Sequence, residues 1–349
     1  MSFGPDNLPY GVAAPPGGAP RCVVRLHDDA IDLSAMRLPV PEGTFAGAAL
    51  NPFLALGRAV WEETRAAIIE QLDDAPRFPL REATLSLPIQ IGDYVDFYSS
   101  IEHATNVGRK WRPDNPLPPN WLHLPIGYHG RAGSVVVSGT PIRRPHGLRP
   151  SFGPTEQLDV ELELAFITGA PGTRIPTGEA REHVFGFALL NDWSARDIQS
   201  FEYRPLGPFL GKSFATSLSA WITPLQALEP YLVPARAQDP APAEYLRTSE
   251  DSALDIELQL ELNGTTISRT NSKHLYWTFP QQLAHATVNG ASTRPGDVYA
   301  SGTISGPAPG SEGSLLELGT GFLNDGDTVV LRGRAGSVSL GEVRGTVLG

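Results

Sequence analysis

Leu158-Asp-Val-Glu161-Leu-Glu163-Leu-Ala-Phe166 alternates apolar and acidic residues from Leu158 to Leu164. Read as a β-strand, it sends Val160, Leu162, Leu164 and Phe166 to one face and Asp159, Glu161 and Glu163 to the other. Carboxylates this close repel unless water screens them, protons neutralise some of them, or a cation sits among them. A hard divalent ion with oxygen ligands is one resolution, and a solvated face is the plainer one. A second stretch poses the same choice. In residues 254–262, Asp255, Glu257, Gln259 and Glu261 alternate with leucines and Ile256, and the Asn263-Gly264 that follows suits a hairpin turn. That second strand reads as having a wet outer face.

Composition agrees with a mainly β class. The chain has 349 residues, 41% hydrophobic and 19% charged, enough for a substantial core and more than one domain. Gly (36) and Pro (33) are plentiful while long helical patterns are few, which favours short strands joined by turns. A net charge of -11 supplies no basic surface for phosphates or anionic lipid, so we expect no nucleic acid and no membrane partner. A small-molecule substrate remains, held by a locally cationic site. Cys22 is the only cysteine, which excludes an internal disulfide, a CxxC pair and a thiolate zinc cluster, and suits a reducing cytoplasm. Residues 1–10 show neither a basic region nor an apolar run, so no targeting signal is expected, and no apolar run is long enough to span a bilayer.

Upstream of the opening stretch, residues 22–33 form an expected hairpin. Residues 52–72 have helical spacing, with Asn51 as cap, Pro52 in the first turn, and Phe53, Leu56, Val60, Ile68 and Leu72 as a core stripe. A domain boundary is expected near Pro88, dividing the chain into residues 1–88 and 89–349. Asp96 and His103, seven apart, would share a helix face unless the segment bends between them. The glycine-punctuated Pro125-Ile-Gly-Tyr128-His-Gly-Arg131 either brings a hydroxyl and a guanidinium to a ligand or is a tight surface turn.

Downstream, residues 182–190 read as a buried strand running into Asn191-Asp192. Ser194 with Asp197 resembles a capping box, opening a helix on which Arg196, Gln199 and Tyr203 share a face. Lys212 follows Gly211 without the spacing of a phosphate-binding P-loop. Residues 230–252 read as a long surface excursion, and residues 273–287 as containing a helix. Residues 314–318 read as an apolar strand carrying one acid, Glu317, whose burial calls for a partner, best a histidine. Strands around 327–332 and 341–348 close the chain. No G-x-S-x-G elbow occurs, and Asn324 stands where Gly319-Thr-Gly321 would need a third glycine, which disfavours a serine hydrolase and a dinucleotide enzyme.

Together and in this order, Asp96-Phe-Tyr-Ser-Ser, His103-Ala-Thr-Asn-Val-Gly, Gly127-Tyr-His-Gly-Arg, Leu158-Asp-Val-Glu-Leu-Glu, Asn191-Asp-Trp-Ser-Ala-Arg-Asp-Ile-Gln, Pro205-Leu-Gly-Pro-Phe-Leu-Gly-Lys-Ser-Phe and Ala300-Ser-Gly-Thr-Ile-Ser-Gly resemble the fumarylacetoacetase family. The resemblance extends from Asn7 to the C-terminus. It implies a small SH3-like N-terminal domain, a larger mixed β-sandwich roll and a homodimer. It also implies hydrolysis of a carbon-carbon bond in a β-diketone, releasing fumarate and acetoacetate in the last step of tyrosine and phenylalanine breakdown.

Carried over by residue, the resemblance makes Asp96, Glu161, Glu163 and Asp192 ligands of Mg²⁺ or Ca²⁺, with Lys212 and Thr216 beside the ion. It makes His103 the base, oriented by Glu317. Arg196, Gln199 and Lys212 would stabilise the oxyanion, and Tyr98, Arg112, Tyr128, Gln199, Tyr203 and Thr303 would hold substrate. Asp159 is left as an edge or solvent residue. The chain departs from its relatives in being trimmed before Leu87, around residues 168–175 and after Glu317. The alternatives are an acylpyruvate hydrolase or oxaloacetate decarboxylase of the same superfamily, and a non-catalytic metal-dependent binding module.

Overall fold

Residues 158–166 do not make one strand. In the computed structural model, which describes residues 3–248 and 251–349, Leu158–Asp159 pairs with Ser194–Ala195, and the strand resumes as Leu162–Thr168 between Val184–Asp192 and Val298–Ala300. Neither face is wet. Leu162, Leu164 and Phe166 pack into the core of the larger domain beside Leu258 and Leu331, while Ala165 and Ile167 pack on the other side beside Tyr10, Phe53 and Phe185. Of the two alternatives, the solvated face is excluded, because the N-terminal part of the chain covers it. Asp159, expected at an edge or in solvent, is fully buried.

The fold is mainly β, an N-terminal domain followed by a larger domain of mixed sheets. One sheet runs in the order Arg77–Pro79, Asp29–Asp32, Arg21–Leu26, Tyr10–Ala14, Trp221–Pro224, Val184–Asp192, Leu162–Thr168, Val298–Ala300, Tyr94–Phe97, Gly127–His129. Tyr10–Ala14 therefore joins the N-terminal strands to the larger sheet, through its antiparallel pairing with Trp221–Pro224. A five-stranded sheet built on Glu257–Leu262, Thr328–Ala335 and Val338–Leu348 packs across the first core. In it the second acidic strand turns back at Asn263-Gly264 onto Thr265–Asn271, with Leu258 and Leu260 inside and Glu257 outside, as its pattern predicts. No helix among the described residues is long and apolar enough to cross a membrane.

Several expected elements shift for identifiable reasons. The helix over 52–72 splits into Asn51–Leu54 and Arg58–Glu70, because Gly57 takes φ +86°, a left-handed conformation that ends one helix and starts another. Asn51 caps nothing. Its side-chain amide donates to the carbonyls of Gln90 and Pro295, both at 2.8 Å, and its carbonyl accepts from the Gln90 amide at 2.8 Å. Ser194 likewise does not cap the helix Arg196–Glu202; its hydroxyl donates to the Asp192 carbonyl, and Asp197 instead accepts from Thr155 and the Glu156 amide. Residues 182–190 begin in the helical turn Ala180–His183, and the strand is Val184–Asp192. Residues 314–318 contain the short helix Leu315–Leu318 rather than a strand. The excursion over 230–252 carries a strand, Leu232–Pro234, paired with Asp251–Leu254; its residues 249 and 250 lie outside the described residues.

Asn51 is thus a clasp between the N-terminal helix and the turn that feeds Val298–Ala300. Replacing it with alanine removes three hydrogen bonds at a partly exposed site, so Asn51→Ala is expected to lower stability by about 0.5–1.5 kcal/mol. Urea unfolding followed by tryptophan fluorescence measures this, and an unchanged midpoint contradicts the role.

Candidate active site

Sheet register assembles the acids. Side chains two apart share a face, so Asp96 follows Tyr94, Glu163 precedes Ala165 and Ile167, and Asp192 follows Ala188 and Leu190, all of them facing the core shared with the N-terminal domain. Asp96 lies opposite Tyr128 on one neighbouring strand and Ala300 on the other, while Asp192 lies opposite Thr216. At this end of the sheet the apolar face therefore gives way to carboxyls. Oxygens of Asp96, Glu163 and Asp192 lie within 4.8 Å of one another. Gly302 completes the row: its amide donates to Glu163 Oε2 at 3.1 Å, and a Cβ there would lie 2.1 Å from the Phe97 carbonyl oxygen.

Three cations answer the acids. Lys212 Nζ contacts Glu161 and donates to Asp192 Oδ2 at 2.6 Å. Arg131 donates to Asp192 Oδ1 at 2.6 Å and Asp96 Oδ2 at 2.8 Å. Arg196 donates from Nε to Asp159 Oδ2 at 2.7 Å and pairs through Nη1 with Glu161 Oε1 at 2.8 Å, with Gln199 Oε1 at 3.2 Å from the same nitrogen. The resulting proton affinities are unequal. Burial raises Asp192 and Glu161, but Arg131 and Lys212 outweigh it at Asp192, as Lys212 and Arg196 do at Glu161, and both carboxyls are held below their usual range. Burial, reinforced by Asp192, pushes Asp96 up to about 7 against the opposing charges of Arg131 and Lys212. Burial and the neighbouring Asp96, Glu161 and Asp192 push Glu163 well above the carboxylate range.

On the other side of Glu161 stands a histidine–carboxylate pair. His103 lies in the first turn of the helix Ile101–Trp111, whose N-cap Ser100 accepts the His103 amide; the chain bends at Ser99-Ser100, so Asp96 and His103 share a site without sharing a helix. His103 Nδ1 lies 2.6 Å from Glu317 Oε2, and Nε2 lies 4.0 Å from Glu161 Oε1. Burial raises Glu317, but His103 and hydrogen bonds from Ser314 and Asn106 bring it down to about 2. Glu317 is therefore ionised, and its hydrogen bond assigns the imidazole proton to Nδ1, leaving Nε2 as the lone-pair nitrogen.

A cleft of about 420 Å³ opens above these groups, lined by Asp96, Tyr98, His103, Arg112, Tyr128, Glu161, Arg196, Gln199, Tyr203, Lys212 and Thr303. Glu163, Asp192, Thr216 and Glu317 stand behind the lining: Thr216 donates to Asp192 Oδ1 at 2.9 Å, and the Glu317 side chain is fully covered. Every sequence-predicted site residue is thus in or directly behind one cavity. Three sets of participants escaped the sequence reading. Asn106, Ser305 and Ser314 hold Glu317 at 2.7–3.1 Å; of these, Asn106 at i+3 from His103 carried a legible signal. Asp159 accepts from the Leu315 and Leu316 amides as well as from Arg196, fixing the helix that bears Glu317. Arg131 was visible as one member of the glycine-punctuated loop, but nothing in the spacing set it above a turn residue.

The acids fit a divalent metal. Asp96 Oδ1 and Glu163 Oε1 are buried without a hydrogen-bond partner, and with Asp192 they present hard oxygen donors around one point, the only such cluster among the described residues. Comparison with known proteins agrees with the geometry. The family model described as fumarylacetoacetate (FAA) hydrolase C-terminal matches residues 94–348, and that described as fumarylacetoacetase N-terminal matches residues 6–93. Fumarylacetoacetase of Rattus norvegicus is 47% identical over 401 aligned positions, covering 98% of this chain and 95% of the relative. That of Homo sapiens is 47% identical, covering 94% of this chain and 90% of the relative. Among solved structures, fumarylacetoacetate hydrolase from Exiguobacterium antarcticum has a TM-score of 0.67 at 20% identity, covering 98% of this chain and 99% of that one, a likeness of fold. Maleylpyruvate hydrolase from Sphingobium sp. SYK-6, in complex with manganese (II) ion and pyruvate, has a TM-score of 0.62 at 19% identity, covering 97% and 98%.

The raised carboxyls make ion binding pH-dependent. Asp96 and Glu163 hold protons more tightly in the folded chain than in the unfolded one, so their contribution favours the ion-free fold at low pH and is lost as pH rises from about 4 through the folded value near 7 at Asp96. An entering cation displaces those protons. The rise in melting temperature on adding Ca²⁺ or Mg²⁺ is therefore expected to be larger at pH 8 than at pH 5.5 by differential scanning fluorimetry with an EDTA control. A rise that is larger in acid contradicts this reading of the acids.

Proposed function

The chain belongs to the fumarylacetoacetate hydrolase family, and from that premise we propose that it hydrolyses the carbon-carbon bond of 4-fumarylacetoacetate to fumarate and acetoacetate. The observation that carries the mechanism is the 2.6 Å contact of His103 Nδ1 with the buried, ionised Glu317, which aims Nε2 away from its partner. A water held against Nε2 gives up a proton there as its oxygen bonds to the fumaryl carbonyl carbon. The carbonyl oxygen becomes an oxyanion beside the Lys212, Arg196 and Gln199 donors, which preorganised contacts stabilise. When the carbon-carbon bond breaks, the fumaryl carbon becomes a carboxyl and the electron pair leaves on the acetoacetate carbon as an enolate. The imidazolium of His103 holds the proton that this carbon takes up, so one water is consumed and the base is regenerated.

Asp96, Glu163 and Asp192, with Glu161, would hold Mg²⁺ or Ca²⁺ beside Lys212 and Thr216, and the ion when bound supplies positive charge for the diketone oxygens. Tyr98, Arg112, Tyr128, Tyr203 and Thr303 are proposed to hold substrate. Arg112 Nε and Thr303 Oγ1, both buried without a hydrogen-bond partner, are donors available to the substrate's carboxylates and oxygens. The same family membership supports a homodimer working in the cytoplasm.

Purified protein with Mg²⁺ or Ca²⁺ is expected to release fumarate and acetoacetate from fumarylacetoacetate in equal amounts, and EDTA to stop the release. His103→Ala is expected to lower kcat by about 10²- to 10⁴-fold, so undiminished turnover in that variant removes His103 as the base. Higher kcat/KM on an acylpyruvate or on oxaloacetate would move the substrate assignment elsewhere in the superfamily. Saturable binding without product would make the chain a binding module.

A further inference from the structure

Asp96 and Asp192 sit on strands that are not neighbours. Leu162–Thr168 and Val298–Ala300 lie between Val184–Asp192 and Tyr94–Phe97, so the two strands share no direct backbone pairing; sheet register brings their ends together, and the rotation of the two carboxyl groups is left to side-chain contacts. One side chain reaches both. Arg131 Nη1 donates to Asp192 Oδ1 at 2.6 Å and Nη2 donates to Asp96 Oδ2 at 2.8 Å. Lys212, the other cation at this end, holds Asp192 and Glu161 and makes no hydrogen bond to Asp96.

The guanidinium is itself fixed. Its carbon lies 4.7 Å from the centre of the Tyr94 ring and 4.9 Å from that of Tyr128, and the side chain is 7% exposed. Its backbone adopts φ +72°, a left-handed conformation that a non-glycine residue rarely takes. A planar fork with two donors on one edge suits this task in a way that a lysine ammonium does not. The fork and the Tyr128 hydroxyl, the latter also at 2.8 Å, both donate to Asp96 Oδ2, and Asp96 Oδ1 is left without a hydrogen-bond partner.

We propose that Arg131 is a positioning residue for the metal site, holding Asp96 and Asp192 at the mutual distance and rotation in which they bind a divalent cation. The inference rests on the metal reading given above and adds to it a residue that is neither a ligand nor a substrate contact. It makes a prediction of sign. A guanidinium that served only to neutralise the acids would repel an entering cation, and its removal would tighten binding. A guanidinium that positions them is needed despite that repulsion, and its removal loosens binding.

Mn²⁺ titration of the full chain, with free ion read by electron paramagnetic resonance and folding checked by circular dichroism melting, separates the two. Arg131→Lys and Arg131→Gln are both expected to bind Mn²⁺ at least about 10-fold more weakly than wild type, the range typical for partners that orient metal ligands. Arg131→Lys should bind no more tightly than Arg131→Gln, because it keeps the repulsion without the fork. A folded Arg131→Gln or Arg131→Lys protein that binds Mn²⁺ as tightly as wild type, or more tightly, overturns the inference while leaving the metal site standing. Should Arg131→Gln fail to fold, Arg131→Lys decides by the same comparison. Wild-type protein that binds no Mn²⁺ overturns the metal reading, and this inference with it.

Discussion

The constraint on which the site depends is the cost of keeping carboxyls out of water. Asp96, Asp159, Glu161, Glu163 and Asp192 are all buried, the Glu317 side chain is covered, and only Arg131, Arg196 and Lys212 answer them with fixed positive charge. Each buried ion costs several kcal/mol of desolvation, recovered only where partners are close and well aimed. The arrangement meets this cost unevenly. Glu161, Asp192 and Glu317 are heavily partnered and held below the usual carboxylate range, whereas Asp96 and Glu163 bind protons more tightly than usual and each has an unpartnered oxygen. The imbalance is concentrated in the acids that cluster around one point. A site left short of positive charge at a single place is one that a divalent cation completes.

The covering of the sheet creates that condition. Without the N-terminal domain, the second face of Leu162–Thr168, the face that Glu163 ends, would lose its cover. Instead Tyr10, Phe53 and Trp61 from the N-terminal region pack against Ile167 and Phe185, and the carboxyls end a face that is otherwise aliphatic and aromatic. The N-terminal domain thereby acts on the chemistry without lending a side chain to the cleft lining.

This also explains what was legible in the sequence. Period-two alternation correctly separated residues 162–166 into faces and identified the hairpin at Asn263-Gly264, because both are local properties of the chain, but it wrongly aligned Asp159 and Glu161 with Glu163 across the break in the strand. It did not say what lies on each face. Glu257 and Glu163 have the same local pattern, yet one is exposed and the other fully buried, since the difference is made by residues more than a hundred positions away. Asp159 was misread for the same reason, as was Asn51, whose partners Gln90 and Pro295 are distant in sequence. The candidate site was more legible than the fold's details, because its residues sit in motifs whose resemblance carries spatial information that spacing lacks. Arg131 fell between the two: it lies in a recognised motif, but its role comes from a stack of two tyrosines and two separated strands.

Asp159 shows how tightly the two halves of the proposed chemistry are joined. Its Oδ1 accepts from the Leu315 amide, and its Oδ2 accepts from both Arg196 Nε and the Leu316 amide. The Leu315–Leu318 helix carries Glu317, which orients His103, while Arg196 is proposed as an oxyanion donor. One buried carboxylate therefore fixes the backbone behind the base and the guanidinium that faces it, so neither can shift without straining the other. With three hydrogen bonds to two elements, it ties the position of the Glu317 helix to that of Arg196, and does so from outside the cleft lining. The break between Leu158–Asp159 and Leu162–Thr168 is what allows this. By leaving strand register at Val160-Glu161, the chain directs Asp159 toward Arg196 and the Glu317 helix, and Glu161 toward Lys212 and His103, instead of aligning both with Glu163.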